Sequence, residues 1–254
     1  MAVHLRRVIG DAAKISAYRC GLFPDARQIT SPLKRLELAA ALAILEVKPG
    51  AIVLDLCCGS GLPALIIART GAHVIGIDID PQQIADAAWH RHYSRVGRRV
   101  ELLCADAHAL PLQDAMVDAC ISLCAIEHLT AADSACREVH RVLRPNGLFV
   151  LTADSLGSVP PSFPRNQHAA RYGVTAYYSR VSLTSLLERS GFIVECCRPI
   201  LRSPLATEEL LTSMSDVRTN VLTAGRRRRR LAAAEEAASG EVGLFMLAAA
   251  RKAR

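Results

Sequence analysis

Three aspartates and a pair of glycines carry most of the chemistry that can be read from this chain. Asp55 lies in an apolar run, Val53-Leu54-Asp55-Leu56, followed by Cys57-Cys58-Gly59-Ser60-Gly61-Leu62-Pro63. Apolar residues on both sides of the pleat predict a strand covered on both faces. Gly59 and Gly61 permit a tight turn and a close approach of backbone to a ligand. Pro63 suits a first helical turn, where a missing N–H loses nothing. A second apolar run, Val74-Ile75-Gly76-Ile77, ends at Asp78. Strand, glycine turn, helix and a second strand tipped by an acid is the arrangement that grips a ribose. The third acid, Asp106, follows a further short strand in Cys104-Ala105-Asp106-Ala107.

Two cofactors fit such a start. Gly59-Ser60-Gly61-Leu62-Pro63-Ala64 matches G-x-G-x-x-G/A, which allows a nicotinamide dinucleotide and hence an oxidoreductase. The wider pattern points elsewhere. Cys104-Ala105-Asp106-Ala107 is followed by Leu110-Pro111, then by Val117-Asp118-Ala119-Cys120-Ile121-Ser122. Arg137-Glu138-Val139-His140-Arg141-Val142-Leu143-Arg144-Pro145-Asn146-Gly147 comes next. In this order and spacing, from Ile52 to about Thr152, the chain resembles the class I S-adenosylmethionine-dependent methyltransferases, and within them the small-molecule and quinone branch. The resemblance implies S-adenosylmethionine as donor and S-adenosylhomocysteine as product. It implies that Asp55 organises the glycine turn and the amino group of the donor, and that Gly59 and Gly61 offer it backbone N–H groups. Asp78 would accept from both ribose hydroxyls, and Ile79 would pack on one adenine face. Asp106 would accept from the adenine amino group, beside the backbone N–H of Ala107. Cys124 would meet the donor through its main chain. Cys57 stands where many members have a third glycine.

Methyl transfer from a sulfonium needs donor and acceptor held close and aligned. A base is needed only if the acceptor must lose a proton. Glu127 and His128, in Ala125-Ile126-Glu127-His128-Leu129 after the fourth strand, resemble the Glu-His pair of cyclopropane-forming and some carbon-methylating enzymes, and are the catalytic candidates. Helix capping by Glu127, with His128 a packed neighbour, is the competing reading. His168, Tyr172, Tyr177 and Tyr178 are candidates for the acceptor pocket. His90 and His92 read as surface residues of a helix remote from the cofactor.

The bulk properties agree with a globular enzyme. At 254 residues and 51% hydrophobic, the chain can bury a full α/β core. The formal charge of +7 allows an anionic partner. Residues 226–230 are all arginine, however, and supply most of that excess. No aromatic residue interleaves them, so base stacking has no support; RNA and protein methylation are the runner-up, and a donor-binding protein without catalysis a third reading. Nine cysteines without a C-x-x-C pair suggest free thiols in a reducing compartment, no disulfide framework and no metal site. No apolar run approaches the ~20 residues of a membrane helix. The expectation is a cytoplasmic protein acting on a small molecule; a homodimer is allowed.

Strands are expected near 51–56, 73–78, 99–104, 117–123 and 147–153, with helices near 61–70, 81–95 and 133–143. This alternation predicts a Rossmann-like, doubly wound α/β sheet with right-handed crossovers. The family resemblance brings it to seven strands, mostly parallel with an antiparallel last strand, and helices on both faces. Residues 1–254 read as a single domain. It comprises a helical cap at 1–48, a cofactor-binding core at 49–153, an irregular substrate loop over 154–180, and C-terminal helices and strands at 181–254.

Overall fold

The computed structural model describes residues 31–214 and 221–254. The helical reading of 1–30, and Cys20 with it, lies outside the described residues. Helix α1 (Pro32–Leu45) leads into strand β1 (Ile52–Leu56), helix α2 (Leu62–Ala68), β2 (His73–Asp78), α3 (Pro81–Tyr93), β3 (Val100–Cys104) and β4 (Val117–Leu123). Next come α4 (Ala132–Val142), β5 (Leu143–Asp154), α5 (Arg165–Tyr172), α6 (Arg180–Arg189), β6 (Phe192–Ile200), α7 (Pro204–Met214), α8 (Val221–Ala237) and β7 (Phe245–Lys252).

The seven strands form one sheet in the order β3-β2-β1-β4-β5-β7-β6. β1 to β5 pair in parallel, and β7 runs antiparallel between β5 and β6. The expected sheet is therefore the one found. Alternation along each strand sends side chains to two cores. Val53, Val74, Ile121, Val150 and Leu247 pack with α1, α2, α7 and α8. Leu54, Ile75, Phe149, Leu151 and Ala248 pack with α4 and α6 on the other face.

Local signals explain the helix starts. Ser31 caps α1 with Pro32 in its first turn, and the Asp80 side chain accepts from the Gln82 amide at 2.8 Å at the start of α3, as its sequence predicts. In α1 the buried stripe is Leu33, Glu37, Ala41 and Leu45, with Leu38 beside it. Ala39 is exposed. The segment after β5 is also not the irregular loop its Ser, Gly and Pro content suggests: it contains the two-turn helix α5, ended by Gly173 with φ +69°. Because the chain departs from β1 to β2 on one side and reaches β4 and β5 on the other, a crevice opens between β1 and β4 at the carboxyl ends of the strands. That is where open α/β sheets bind ligands.

Candidate active site

The β1–α2 turn is shaped by left-handed backbone at Cys57 (φ 55°), Gly59 (φ 51°) and Gly61 (φ 72°). A Cβ on Gly61 would stand 2.9 Å from the Ala87 Cβ of α3, so the residue must be glycine both for its φ and for helix packing. Cys57 adopts with a side chain the conformation that a glycine would take without strain, which accounts for the glycine common at this position in the family it resembles. The turn is tied to β2: the Gly59 amide donates to Asp78 Oδ2 at 2.8 Å, and the Asp80 amide donates to Asp78 Oδ1 at 3.0 Å. Gly59 and Gly61, expected to offer their N–H groups outward, spend them within the turn, Gly59 on the acid and Gly61 on the Cys58 carbonyl at 3.0 Å. Ile79, next to Asp78, is 66% exposed, a large apolar side chain just beyond the tip of β2. His90, expected on the open surface, instead reaches the turn, with Nδ1 2.9 Å from the Ser60 carbonyl oxygen.

Asp55 is buried at the base of this turn. The Ala64 amide of α2 hydrogen-bonds its carboxylate, while Oδ2 has no partner. Burial outweighs that bond and, with Asp78 nearby, raises its pKa from 3.8 to about 7. The folded state therefore holds this proton more tightly than the unfolded chain does. That contribution to stability is complete below pH ~4 and is lost as pH rises towards 7. Asp55→Asn keeps an acceptor for Ala64 and removes the titration. Urea unfolding across this window should show a shallower decline in the variant than in the wild type; equal slopes would refute the assignment.

Beyond β3, Asp106 Oδ1 accepts from the backbone amide of His108 at 2.9 Å and lies 2.6 Å from His108 Nδ1. These bonds hold its carboxyl below the usual range. Ala107 is buried beside it. Cys57 connects the two halves of the crevice: Asp78, Asp55, Glu127 and Asp106 all act on its thiol, and with burial as the main cause raise its pKa to about 12, so it stays a neutral S–H.

On the β4–β5 side lies a cavity of about 360 Å³, reached by Lys34, Cys124, Glu127, His128, Asp154 and His168 among others. Cys124 Sγ, Glu127 and Asp154 place ligand atoms within 4.8 Å of one another. Glu127 sits on the 3₁₀ turn Ile126–His128 and is fully buried. Its Oε1 accepts from the Asp154 amide at 3.2 Å, and its Oε2 has no partner. Burial first, then the Asp154 charge, push its pKa well up; burial does the same to Asp154. His128 is exposed at the rim, with Nδ1 3.1 Å from the Gly173 carbonyl oxygen. His168 and Tyr172, one helical turn apart on α5, bring their rings to 4.8 Å.

Tyr177 stands behind them. Its hydroxyl donates to the Arg165 carbonyl at 3.3 Å and lies 3.1 Å from His168 Nδ1. Tyr178 departs from expectation. It lies in a separate groove with Leu129, Asp133 and Leu186 and packs on the α4–α6 face, because residues 177 and 178 point to opposite sides of an extended segment.

Residues 54–151 match the family described as Methyltransferase domain. These residues form a class I methyltransferase domain. Across 108 residues the chain is 36% identical to 24-methylenesterol C-methyltransferase 2 of Oryza sativa subsp. japonica, covering 42% of this chain and 30% of that protein. It is 33% identical, also over 108 residues, to squalene methyltransferase 1 of Botryococcus braunii, covering 42% and 29%. The match thus spans about a third of the length of these relatives. In fold, the chain superposes on the geranyl diphosphate C-methyltransferase of Streptomyces coelicolor A3(2) with a TM-score of 0.66 at 16% identity, covering 86% of this chain and 79% of that one.

Around the methyltransferase domain, the flanking elements contribute residues that the motifs did not reveal. Lys34 and Glu37 come from α1. Glu37 Oε1 accepts from Cys124 Sγ at 3.0 Å and from the Thr152 hydroxyl, and Lys34 Nζ lies 3.0 Å from Glu37 Oε2. Leu210 of α7 and Phe245 of β7 supply apolar wall. One signal for Glu37 was present: a lone acid in the i, i+4 series of a buried helical stripe.

Proposed function

We propose that this chain transfers a methyl group from S-adenosylmethionine to a small organic metabolite held in the β4–β5 cavity. The observation that carries the reading is the turn itself: acids near the neighbouring ends of β1 and β2, tied by a left-handed glycine turn, stand beside a cavity lined by two further acids, Glu127 and Asp154. The chemistry supplied by the donor is a methyl group already made electrophilic by the sulfonium. Asp78 accepts from the ribose hydroxyls, Ile79 gives the adenine an apolar face, and Asp106 with Ala107 reads its edge. The orphan Oδ2 of Asp55 suits a group rich in N–H, as the donor's amino-acid end is. These residues fit the donor. Glu127 is the proton acceptor for the acceptor molecule, and Cys124 keeps its place through Glu37. The sterol, squalene and geranyl diphosphate C-methyltransferases among the relatives and fold neighbours favour a lipophilic acceptor, of natural-product or quinone-like type. The whole chain works as one domain, in the cytoplasm, in keeping with the eight free cysteines of the described residues. Among those residues no helix is long and apolar enough to cross a membrane.

Parallel calorimetric titrations test the reading. S-adenosylhomocysteine is expected to bind with micromolar or tighter affinity and NADH not at all; binding of NADH alone would return the glycine turn to the oxidoreductases.

A further inference from the structure

The cavity has more acid than base. Two carboxyl groups line it, Glu127 from the β4–α4 turn and Asp154 from the end of β5, and a third, Glu37 of α1, stands behind Cys124. The lysine reaching them, Lys34, is committed to Glu37 at 3.0 Å. His168 faces Asp154 with Nε2 3.8 Å from Oδ2, but burial lowers its pKa, so the ring is neutral at physiological pH. The Cys124 thiol is pushed up by burial and gives its hydrogen to Glu37. The Tyr172 hydroxyl donates away, to the Ser213 carbonyl at 3.4 Å. His128 stays at the rim on Gly173. Among the described residues, Glu127 has no cation within ion-pair distance, and its buried Oε2 has no hydrogen-bond partner. A buried polar atom left without a partner costs about 1–3 kcal/mol, so this oxygen is a place where a ligand donor stabilises the complex. The opposite wall is apolar, formed by Leu33, Leu210 and Phe245. The Phe245 ring already attracts one cation, with Lys34 Nζ 5.0 Å from its centroid.

We infer that the cavity binds the acceptor through a protonated amine, whose N–H groups go to Glu127 Oε2 and the Asp154 carboxylate while its hydrocarbon body lies on Leu33, Leu210 and Phe245. This deepens the methyl-transfer reading and rests on it for the word acceptor; the cation site itself rests on the charges and the cavity. A neutral alcohol of the same length meets the same wall but does not offset the surplus acid, and a carboxylate adds to it.

Calorimetry on the full chain with S-adenosylhomocysteine present decides this, using hexylamine, 1-hexanol and hexanoate at pH 7.5. Hexylamine is expected to bind at least 10-fold more tightly than hexanol, with hexanoate weakest. Glu127→Gln should weaken hexylamine 10-fold or more and leave hexanol unchanged. Asp154→Asn is the second variant should the first fold poorly, and it should act in the same direction. Hexylamine should also release protons, seen as a heat that varies with the ionisation enthalpy of the buffer. Equal binding of amine and alcohol, or an amine affinity indifferent to both substitutions, overturns the cation site. S-adenosylhomocysteine binding without amine preference removes the cation site and leaves the methyl-transfer reading standing. Amine preference without S-adenosylhomocysteine binding does the reverse.

Discussion

Asp78→Ala is expected to lower the affinity for S-adenosylhomocysteine by at least 100-fold. This carboxylate accepts two backbone amides, from Gly59 and Asp80, and each of its oxygens keeps a further lone pair for a ribose hydroxyl. Hydrogen bonds to a charged group contribute about 1.5–3 kcal/mol each. Loss of two to the ribose is therefore worth roughly 3–6 kcal/mol, or about two to four decades of Kd. The variant also frees the Gly59 amide and loosens the turn, which adds to the loss in binding. Isothermal calorimetry of wild type and variant gives the ratio, and thermal unfolding of both shows whether the fold survives. A folded variant with an unchanged Kd would remove Asp78 from the donor site.

The half of the site proposed for the donor was legible in the sequence because its parts are local. Asp55, the glycine turn and the start of α2 fall within ten residues, and a strand-turn-helix with those residue types has few alternative structures. Parallel pairing of β1 with β2 then places Asp78 beside the turn without further information. The acceptor half was only partly legible. Glu127, His128 and His168 reach the cavity as their positions after β4 and β5 suggested, and Tyr172 follows His168 by one helical turn. Lys34 lies 176 residues before Leu210 and 211 before Phe245, and Phe245 is brought to the cavity by the insertion of β7 between β5 and β6. That insertion is a property of the sheet as a whole, and no spacing within one segment encodes it.

The misplaced residues have equally particular causes. Composition suggested a loop after β5, yet Gly173 provides a left-handed stop that lets residues 165–172 form a helix despite the prolines before them. That helix is what turns His168 and Tyr172 inward together. Tyr177 and Tyr178, treated alike from sequence, lie in extended chain and are parted by its alternation. His90 was read as surface because its helix was taken to be remote from the cofactor, but Gly61 lets α3 approach the turn closely enough for the His90 ring to reach the Ser60 carbonyl.

Glu127→Gln should lower turnover by about 10²–10⁴, the usual contribution of a positioned proton acceptor, with a much smaller change in KM for the donor. The amide is nearly isosteric, and its oxygen can still accept from the Asp154 backbone, so what disappears is the capacity of Oε2 to take a proton. Because burial and Asp154 raise the pKa of Glu127, the wild-type rate should climb with pH as that carboxyl ionises, and the variant should lose this limb. Stability should move the other way. A carboxyl that holds its proton more tightly when folded makes the wild type less stable as pH rises above the ordinary carboxylate range. The glutamine, which never ionises, should therefore make the protein more resistant to urea than wild type at alkaline pH. Lower activity with higher alkaline stability is the signature of a buried proton acceptor held against its preference. If both fall together and the pH–rate profile keeps its shape, Glu127 serves to cap the turn after β4, and the proton must leave by another route.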